Sequence, residues 1–158
     1  RYFNVLGADR YLRYGPIGKS LNSFSNNLYK SIKSGKTFKI FGNNHNTSDG
    51  TPVRDFIHVD DLATIHLHAL KYLIKNKKNQ ICNCGYGKGN SIKEIIKTLL
   101  KHKQIDFKYS FSPKRIGDIS YMVANINKLN KIFSWKPKKS NIKNMLFSEL
   151  KWNKKIYK

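Results

Sequence analysis

Residues 40–61 read IFGNNHNTSDGTPVRDFIHVDD, from Ile40 to Asp61, and the fold follows from how this stretch divides. Phe38, Ile40 and Phe41 form an apolar run of strand type. Residues 42–52 are dominated by Gly, Asn, Thr, Ser, Asp and Pro, the residues that populate turns. Alternation resumes from Val53 to Ile57. Asp60 and Asp61 then stand where carboxylates favour the positive end of a helix. The order is strand, long loop, strand, helix. A loop of this length inside a compact domain is commonly functional. Arg54, just beyond it, carries the forked donor set that suits an anionic ligand.

Upstream, Arg1 to Val5 reads as a strand and Leu6 to Leu21 as a connection rich in Gly and Tyr. Phe24, Leu28 and Ile32 recur every four residues and predict a helix over Ser25 to Ser34, stopped by Gly35. Downstream, Leu62, Ile65, Ala69 and Leu73 form one helical face, ending in the polar run Lys75 to Asn79. Gln80 to Cys84 reads as a compact strand of buried type. It runs into Gly85-Tyr86-Gly87-Lys88-Gly89-Asn90. Ser91 and Glu94 then fit a capping box. A strand, a Gly-rich turn and a helix start can bind phosphate. The glycine spacing here matches neither G-x-G-x-x-G nor the Walker pattern, so a capped turn is the better reading.

Ile105 to Tyr109 alternates as a strand, followed by a polar loop, Ser110 to Gly117. Asn125 can cap a helix bearing Ile126, Leu129, Ile132 and Phe133. Trp135-Lys136-Pro137 breaks the chain, and Ser140 opens a last amphipathic helix with Ile142, Met145, Leu146, Leu150 and Trp152. Strands alternating with helices indicate the α/β class.

The 158 residues are enough for one domain with a core. A net charge of +22, from 31 Lys plus Arg against 9 Asp plus Glu, raises the question of a polyanion partner. Lys is scattered, however, and Arg occurs only at 1, 10, 13, 54 and 115, so no single element is presented to read bases. No nucleic acid is expected. No run approaches the roughly 18 to 20 apolar residues of a membrane span, and no membrane association is expected either. The start at Arg1, in mid-strand and without a leader, suggests that an N-terminal portion is missing. Cys82 and Cys84 share a strand face and read as free thiols of a reducing cytosol.

His45 falls in a mobile-looking loop, and none of the five histidines has a metal-ligand spacing. Asp49 reads as a turn residue, Asp60 and Asp61 as helix charges, and Asp55 as a buried hydrogen-bonding partner. No Ser-His or Cys-His pair stands out. Arg54 and Arg115 sit at separate loop junctions. Converging, they would suit a diphosphate; a surface carboxylate beside each explains the spacing equally well.

The stretches RYFNVLGAD from Arg1, FSNNL from Phe24, IFGNNHNTSDGTPVRDFIHVDDLA from Ile40, ICNCGYGKGNSIKE from Ile81 and RIGD from Arg115 resemble the UDP-glucose 4-epimerase family. They occur in family order over most of the chain. The resemblance implies an extended short-chain dehydrogenase/reductase: an NAD(P)-binding Rossmann-type α/β domain with a smaller substrate-binding region, of which this would be the C-terminal part. Residues 1–20 would be the last strand and exit of the Rossmann domain. Residues 21–158 would form the UDP-sugar region, with 59–84 returning to the Rossmann sheet. The implied reaction interconverts UDP-glucose and UDP-galactose by transient C4 oxidation with bound NAD, in cytoplasmic galactose metabolism, by a homodimer.

Carried over by motif, Phe3 would contact the cofactor and Asn4 the UDP-sugar. Asn27 and Leu28 would meet the diphosphate and nucleotide, Phe41 would flank uracil, Arg54 and Arg115 would clamp the diphosphate, and Asp118 would accept from the ribose. Met122 falls where some members carry a Tyr that limits acetamido sugars, and Lys19 falls where an acidic residue is usual. The family's catalytic Tyr-x-x-x-Lys pair and its Gly-rich NAD fingerprint are expected outside this chain, which alone should be inactive. A sister nucleotide-sugar epimerase or 4,6-dehydratase is the nearest alternative. A polyanion-binding module is the alternative of another class.

Overall fold

A computed structural model of the chain describes residues 1–18, 23–102 and 105–157. Lys19 therefore lies outside the described residues. The elements run β1 (Asn4–Leu6), α1 (Phe24–Ser34), β2 (Phe38–Phe41), β3 (Val53–His58), α2 (Val59–Asn76), β4 (Gly89–Ser91), α3 (Ile92–Leu100), β5 (Tyr109–Ser112), β6 (Tyr121–Met122), α4 (Asn127–Phe133) and α5 (Ile142–Ile156). The α/β class expected from the pattern is what forms.

β3 joins two kinds of sheet. Its C-terminal half pairs in parallel with β1, Asn4 opposite Phe56 and Leu6 opposite His58. Its N-terminal half pairs antiparallel with β4 and in parallel with β6, Arg54 opposite Met122. β2 and β5 form a separate parallel pair. Successive β3 side chains point to opposite faces, so Phe56 and Ile57 enter different cores. Phe56 packs with Leu6, Leu28, Ile40, Ile96 and Leu146. Ile57 packs with Leu62, Ile65, Leu129 and Trp135. Each such burial is worth about 1.5–3 kcal/mol.

Two buried carboxylates and one half-buried carboxylate tie this strand and its loop to the rest. Asp55, fully buried, accepts the backbone N–H groups of Tyr86 (2.9 Å), Gly87 (2.9 Å) and Ala124 (3.2 Å). Burial raises its pKa and outweighs those three bonds. Asp61 accepts the Tyr86 hydroxyl and the N–H groups of Lys138 and Lys139. Asp49 accepts from the Thr51 N–H and hydroxyl and from the Ser91 hydroxyl.

Helix starts match the expected signals closely. Ser23 caps α1, Gly35 closes it in the left-handed region at φ +67°, and Ser91 caps α3 through the Glu94 N–H. Asp60 and Asp61 occupy the first turn of α2, with His58 as its cap. Asn125, expected to cap α4, falls one residue early: its side chain accepts the N–H of Asn127, while the cap position is Ile126, which makes no side-chain cap bond. Asn141, not Ser140, caps α5.

Three expectations fail. Gln80 to Cys84 is extended but forms only one bridge, Tyr2 to Cys84, and Ile81 is 64% exposed. Arg1 to Phe3 runs alongside 82–84, with Arg1 N donating to the Cys82 carbonyl at 2.9 Å and the Cys84 N–H to the Arg1 carbonyl at 2.7 Å, but among the described residues no strand pairs with 80 and 81. The strand expected at Ile105 to Tyr109 begins at Tyr109 instead. β2 sets the register, Phe38 opposite Tyr109, while Phe107 turns into the core. Leu73 is 42% exposed, as Leu67, Leu70 and Ile74 are more so, and α2 is buried only along its first turns. No helix among the described residues is long and apolar enough to cross a membrane.

Asp55→Ala would leave three backbone donors without an acceptor, and is expected to cost about 3 kcal/mol in urea unfolding. Asp49 gives a pH signature. Burial raises its pKa, but the Ser91 and Thr51 bonds together with Lys93 hold it below the ordinary 3.8. A depressed folded pKa contributes stability that is complete above the unfolded value and is lost as pH falls through the folded one. The thermal-stability gap between wild type and Asp49→Asn should therefore shrink as pH falls from about 6 to about 3.

Candidate functional site

A cavity of about 770 Å³ opens between β1, the first turns of α1, β2 and the loop after β5. Of the residues singled out in the sequence, Phe3, Asn4, Asn27, Phe41, Arg54, Arg115 and Asp118 all line it. They come from five separate segments. Two others do not line it. Leu28 is fully buried in the main core, its side chain turned away as the fourth-residue helical repeat requires. Met122 lies on β6 directly opposite Arg54, beside the wall rather than in it.

The loop of residues 42–52 is well anchored. His45, expected in a mobile loop, is 4% exposed. Its Nδ1 lies 3.2 Å from the Ser120 hydroxyl and its Nε2 3.3 Å from the Phe41 carbonyl. Gly42 takes φ +84°, and a Cβ there would meet the His45 ring at 2.4 Å. The imidazole thus ties the end of β2 to the segment carrying Asp118.

The two arginines do converge, in different states. Arg54 Nη2 donates to Asp118 Oδ1 at 2.6 Å and Nη1 donates to the Val53 carbonyl, with the side chains of the ion pair 12% and 22% exposed. One of its two faces is therefore spoken for by a carboxylate. Arg115 is exposed, its guanidinium carbon 3.8 Å above the Phe41 ring, a cation–π contact of about 0.5–1 kcal/mol at such a site.

The lining carries Lys30, Lys39, Arg54 and Arg115 against the single carboxylate Asp118. The first turn of α1 adds Ser23, Ser25 and Asn27, with the positive end of the helix dipole. Opposite, Asn4 Oδ1 is buried with no hydrogen-bond partner. Such an atom costs free energy unless a donor meets it. The chemistry offered is a polyanion clamp at one side, an aromatic plate in Phe41, and an acceptor for a hydroxyl or N–H at the other.

Lys30 and Lys39 were not singled out from the sequence. Lys39 alternates with Phe38 and Ile40 on β2 and so shares the outward face of Phe41. Lys30 follows Asn27 by three on α1, hence on the same face. Both signals were legible as periodicity.

The Gly85–Asn90 turn holds no free phosphate cradle. The N–H groups of Tyr86 and Gly87 go to Asp55. Those of Ile92, Lys93 and Glu94 go to the Pro52 carbonyl, the Thr51 hydroxyl and the Ser91 hydroxyl.

The spacing Tyr-x-x-x-Lys, expected outside this chain, does occur once, at Tyr29 and Lys33 on α1. The setting is not catalytic. Tyr29 packs against the Tyr157 ring, centroids 6.1 Å apart, and Lys33 Nζ donates to the Tyr157 carbonyl. Burial pushes the Tyr29 pKa up, the wrong direction for a base, and neither residue lines the cavity. Among the described residues no group of three or more His, Cys, Asp or Glu could hold a metal. Toward NAD, the chain offers Tyr2 and Phe3 at the cavity edge but no Gly-rich cradle.

This architecture has known counterparts. A family model described as the NAD dependent epimerase/dehydratase family matches residues 1–85. The UDP-glucose 4-epimerase of Lactobacillus helveticus is 37% identical over 155 residues, 98% of this chain and 47% of that protein. The crystal structure of UDP-glucose-4-epimerase from Stenotrophomonas maltophila with bound NAD and formylated UDP-arabinopyranose superposes with a TM-score of 0.92 at 27% identity, covering 99% of this chain and 47% of that one. The UDP-Glc/GlcNAc 4-epimerase of Campylobacter jejuni superposes with a TM-score of 0.75 at 37% identity, covering 98% and 47%. The chain spans about half the length of the curated relatives it matches. With the family model covering more than half of its residues, the chain belongs to the NAD dependent epimerase/dehydratase family.

Proposed function

We propose that this chain is the UDP-sugar-binding half of a UDP-glucose 4-epimerase that interconverts UDP-glucose and UDP-galactose in cytoplasmic galactose metabolism. The observation that carries the reading is the convergence of Asn4, Asn27, Phe41, Arg54, Arg115 and Asp118 on one cationic cavity. A diphosphate answers the excess of positive charge. Phe41 supplies a plate for uracil, and Asp118 an acceptor for ribose hydroxyls. Asn4, with its unpaired oxygen, is the partner for a sugar hydroxyl. In this reading Arg54 keeps its bond to Asp118 and turns its remaining donors to the diphosphate, while Arg115 leaves the Phe41 face to join it. The backbone beside Leu28 belongs to the same helix start, and Met122, opposite Arg54, borders the sugar end.

NAD, when bound, takes up and returns the hydride of the sugar carbon. The base and the dinucleotide cradle belong to the remainder of the protein. Phe3 contributes a side-chain wall toward the cofactor, and the residues of this chain bind and orient the sugar. Residues 1–20 and 59–84 belong with the cofactor sheet in this proposal. The exposed Leu67, Leu70, Ile74 and Ile81 support it as the face that the remainder covers. The full-length protein is taken to be a homodimer.

The complete protein, supplied with NAD, should convert UDP-galactose to UDP-glucose. Absence of turnover in a folded sample rejects the proposal, and salt-steep retention on DNA would point to a polyanion-binding module instead. Arg54→Ala and Arg115→Ala should each lower kcat/KM by about 10- to 100-fold, mainly through KM, because each removes charge-assisted bonds to the diphosphate. Steady-state kinetics with UDP-galactose read this directly.

A further inference from the structure

Glu149 lies in the middle of α5 and is 2% exposed, yet it is not among the cavity-lining residues. A carboxylate at a core position of a helix needs a reason, because burial penalises its charge. Its two oxygens reach two different segments. Oε2 accepts the Gly7 N–H at 2.7 Å, and Oε1 accepts the Ser25 hydroxyl. Gly7 directly follows β1, which carries Asn4. Ser25 is in the first turn of α1, which carries Asn27.

Neighbouring groups on the same helix act alike. Ser148 Oγ accepts the Ala8 N–H at 3.0 Å. Trp152 Nε1 donates to the Pro16 carbonyl at 2.8 Å, and Lys155 Nζ to the Leu12 carbonyl at 2.6 Å. Residues 148, 149, 152 and 155 recur at helical spacing, so one stripe of α5 holds the backbone of the connection between β1 and α1. Gly7 cannot be held by a side chain of its own. It takes φ +95°, and a Cβ there would meet the His58 ring at 2.6 Å.

We propose that Glu149 is a positioning residue for the candidate site, a clamp that fixes the exit of β1 and the start of α1 relative to each other. Asn4 and Asn27 then face the same ligand at a set separation. The inference rests on the UDP-sugar reading of the cavity, and goes beyond it by assigning a role to a residue outside the cavity.

The test uses the full-length holoenzyme and three variants. Glu149→Gln removes the charge but keeps the span: its carbonyl can accept from Gly7 and its amide can donate to Ser25 Oγ. Glu149→Asp keeps the charge but is one methylene too short to reach both segments. Leu146→Ala removes core packing from the same helix and leaves both Glu149 hydrogen bonds in place. Glu149→Asp is expected to raise the Kd for UDP and the KM for UDP-galactose about tenfold, with kcat changed less than about threefold. Glu149→Gln should stay within about twofold of wild type in both, and Leu146→Ala should lower Tm with the Kd for UDP unchanged.

Amide hydrogen exchange at Gly7 reads the clamp without ligand, and should accelerate in Glu149→Asp but not in Glu149→Gln. Unchanged Gly7 exchange in Glu149→Asp overturns the proposal. So does a loss of UDP affinity in Glu149→Gln equal to that in Glu149→Asp, or an equal loss in Leu146→Ala. Exchange that responds as expected in a wild-type protein that binds no UDP identifies the site reading as the part that failed.

Discussion

The Asp55 carboxylate, fully buried and holding three backbone N–H groups, is the constraint from which the rest of the arrangement follows. It sits on the one strand shared by both kinds of sheet. Through Tyr86 and Gly87 it fixes the turn that leads into β4 and α3, and through Ala124 it fixes the chain just after β6. Losing a donor to such a group costs little; losing the acceptor strands three donors at once. With Asp55 in place, the residue before it has only one direction to take. Arg54 must point toward the cavity, opposite Met122 and within reach of Asp118. The cavity-lining Arg54 is thus aimed by a carboxylate that does not itself line the cavity.

The cavity itself separates two tasks. Arg54 is held by a short ion pair and is therefore pre-oriented, with little rotamer freedom left to lose when an anion arrives. Arg115 is exposed and rests on an aromatic face, a contact weak enough to surrender. Under the proposed function, one donor held by an ion pair and one resting on a ring would meet a diphosphate from two sides. Lys39 and Lys30 broaden the positive field of the lining. Charge of this kind acts on encounter and retention of an anion, while Phe41 and Asn4 supply what a phosphate alone could not use.

Much of this was legible in the sequence where the physics is local. Caps at Ser23 and Ser91, the stop at Gly35, the acidic first turn of α2 and the burial of Asp55 all follow from side-chain chemistry within a few residues. Of the seven cavity-lining positions, Arg54 and Arg115 follow from donor chemistry at loop junctions, and the other five from motif resemblance alone. Gln80 to Cys84 does not form the strand its apolar run predicts because such a run needs a partner along its edge, and the described residues supply one bridge. The anchoring of His45 is invisible in the sequence because nothing within a few positions reveals that Ser120, seventy-five residues on, meets it. Tyr29 and Lys33 show the converse. Spacing alone satisfies the catalytic pattern, yet contact with Tyr157, far along the chain, commits both side chains to packing.

Such distant ties also bear on how the site responds to a ligand. Its walls are contributed by residues 3, 4, 27, 41, 54, 115 and 118, and no contiguous segment contains more than two or three of them. Each wall is held from afar: Gly7 and Ser25 by Glu149, Arg54 by Asp118, the end of β2 by His45 and Ser120. A site built this way cannot form in a partly folded chain, since loosening any one tie separates walls that must face the same molecule. Ligand binding is then coupled to the cooperative folding of the whole region rather than to the ordering of one loop. A molecule that binds only the assembled site stabilises every tie together, in proportion to the logarithm of its concentration over Kd. The most distant of these ties run through α5, so the last helix of the chain holds cavity walls in place although it lines none of the cavity.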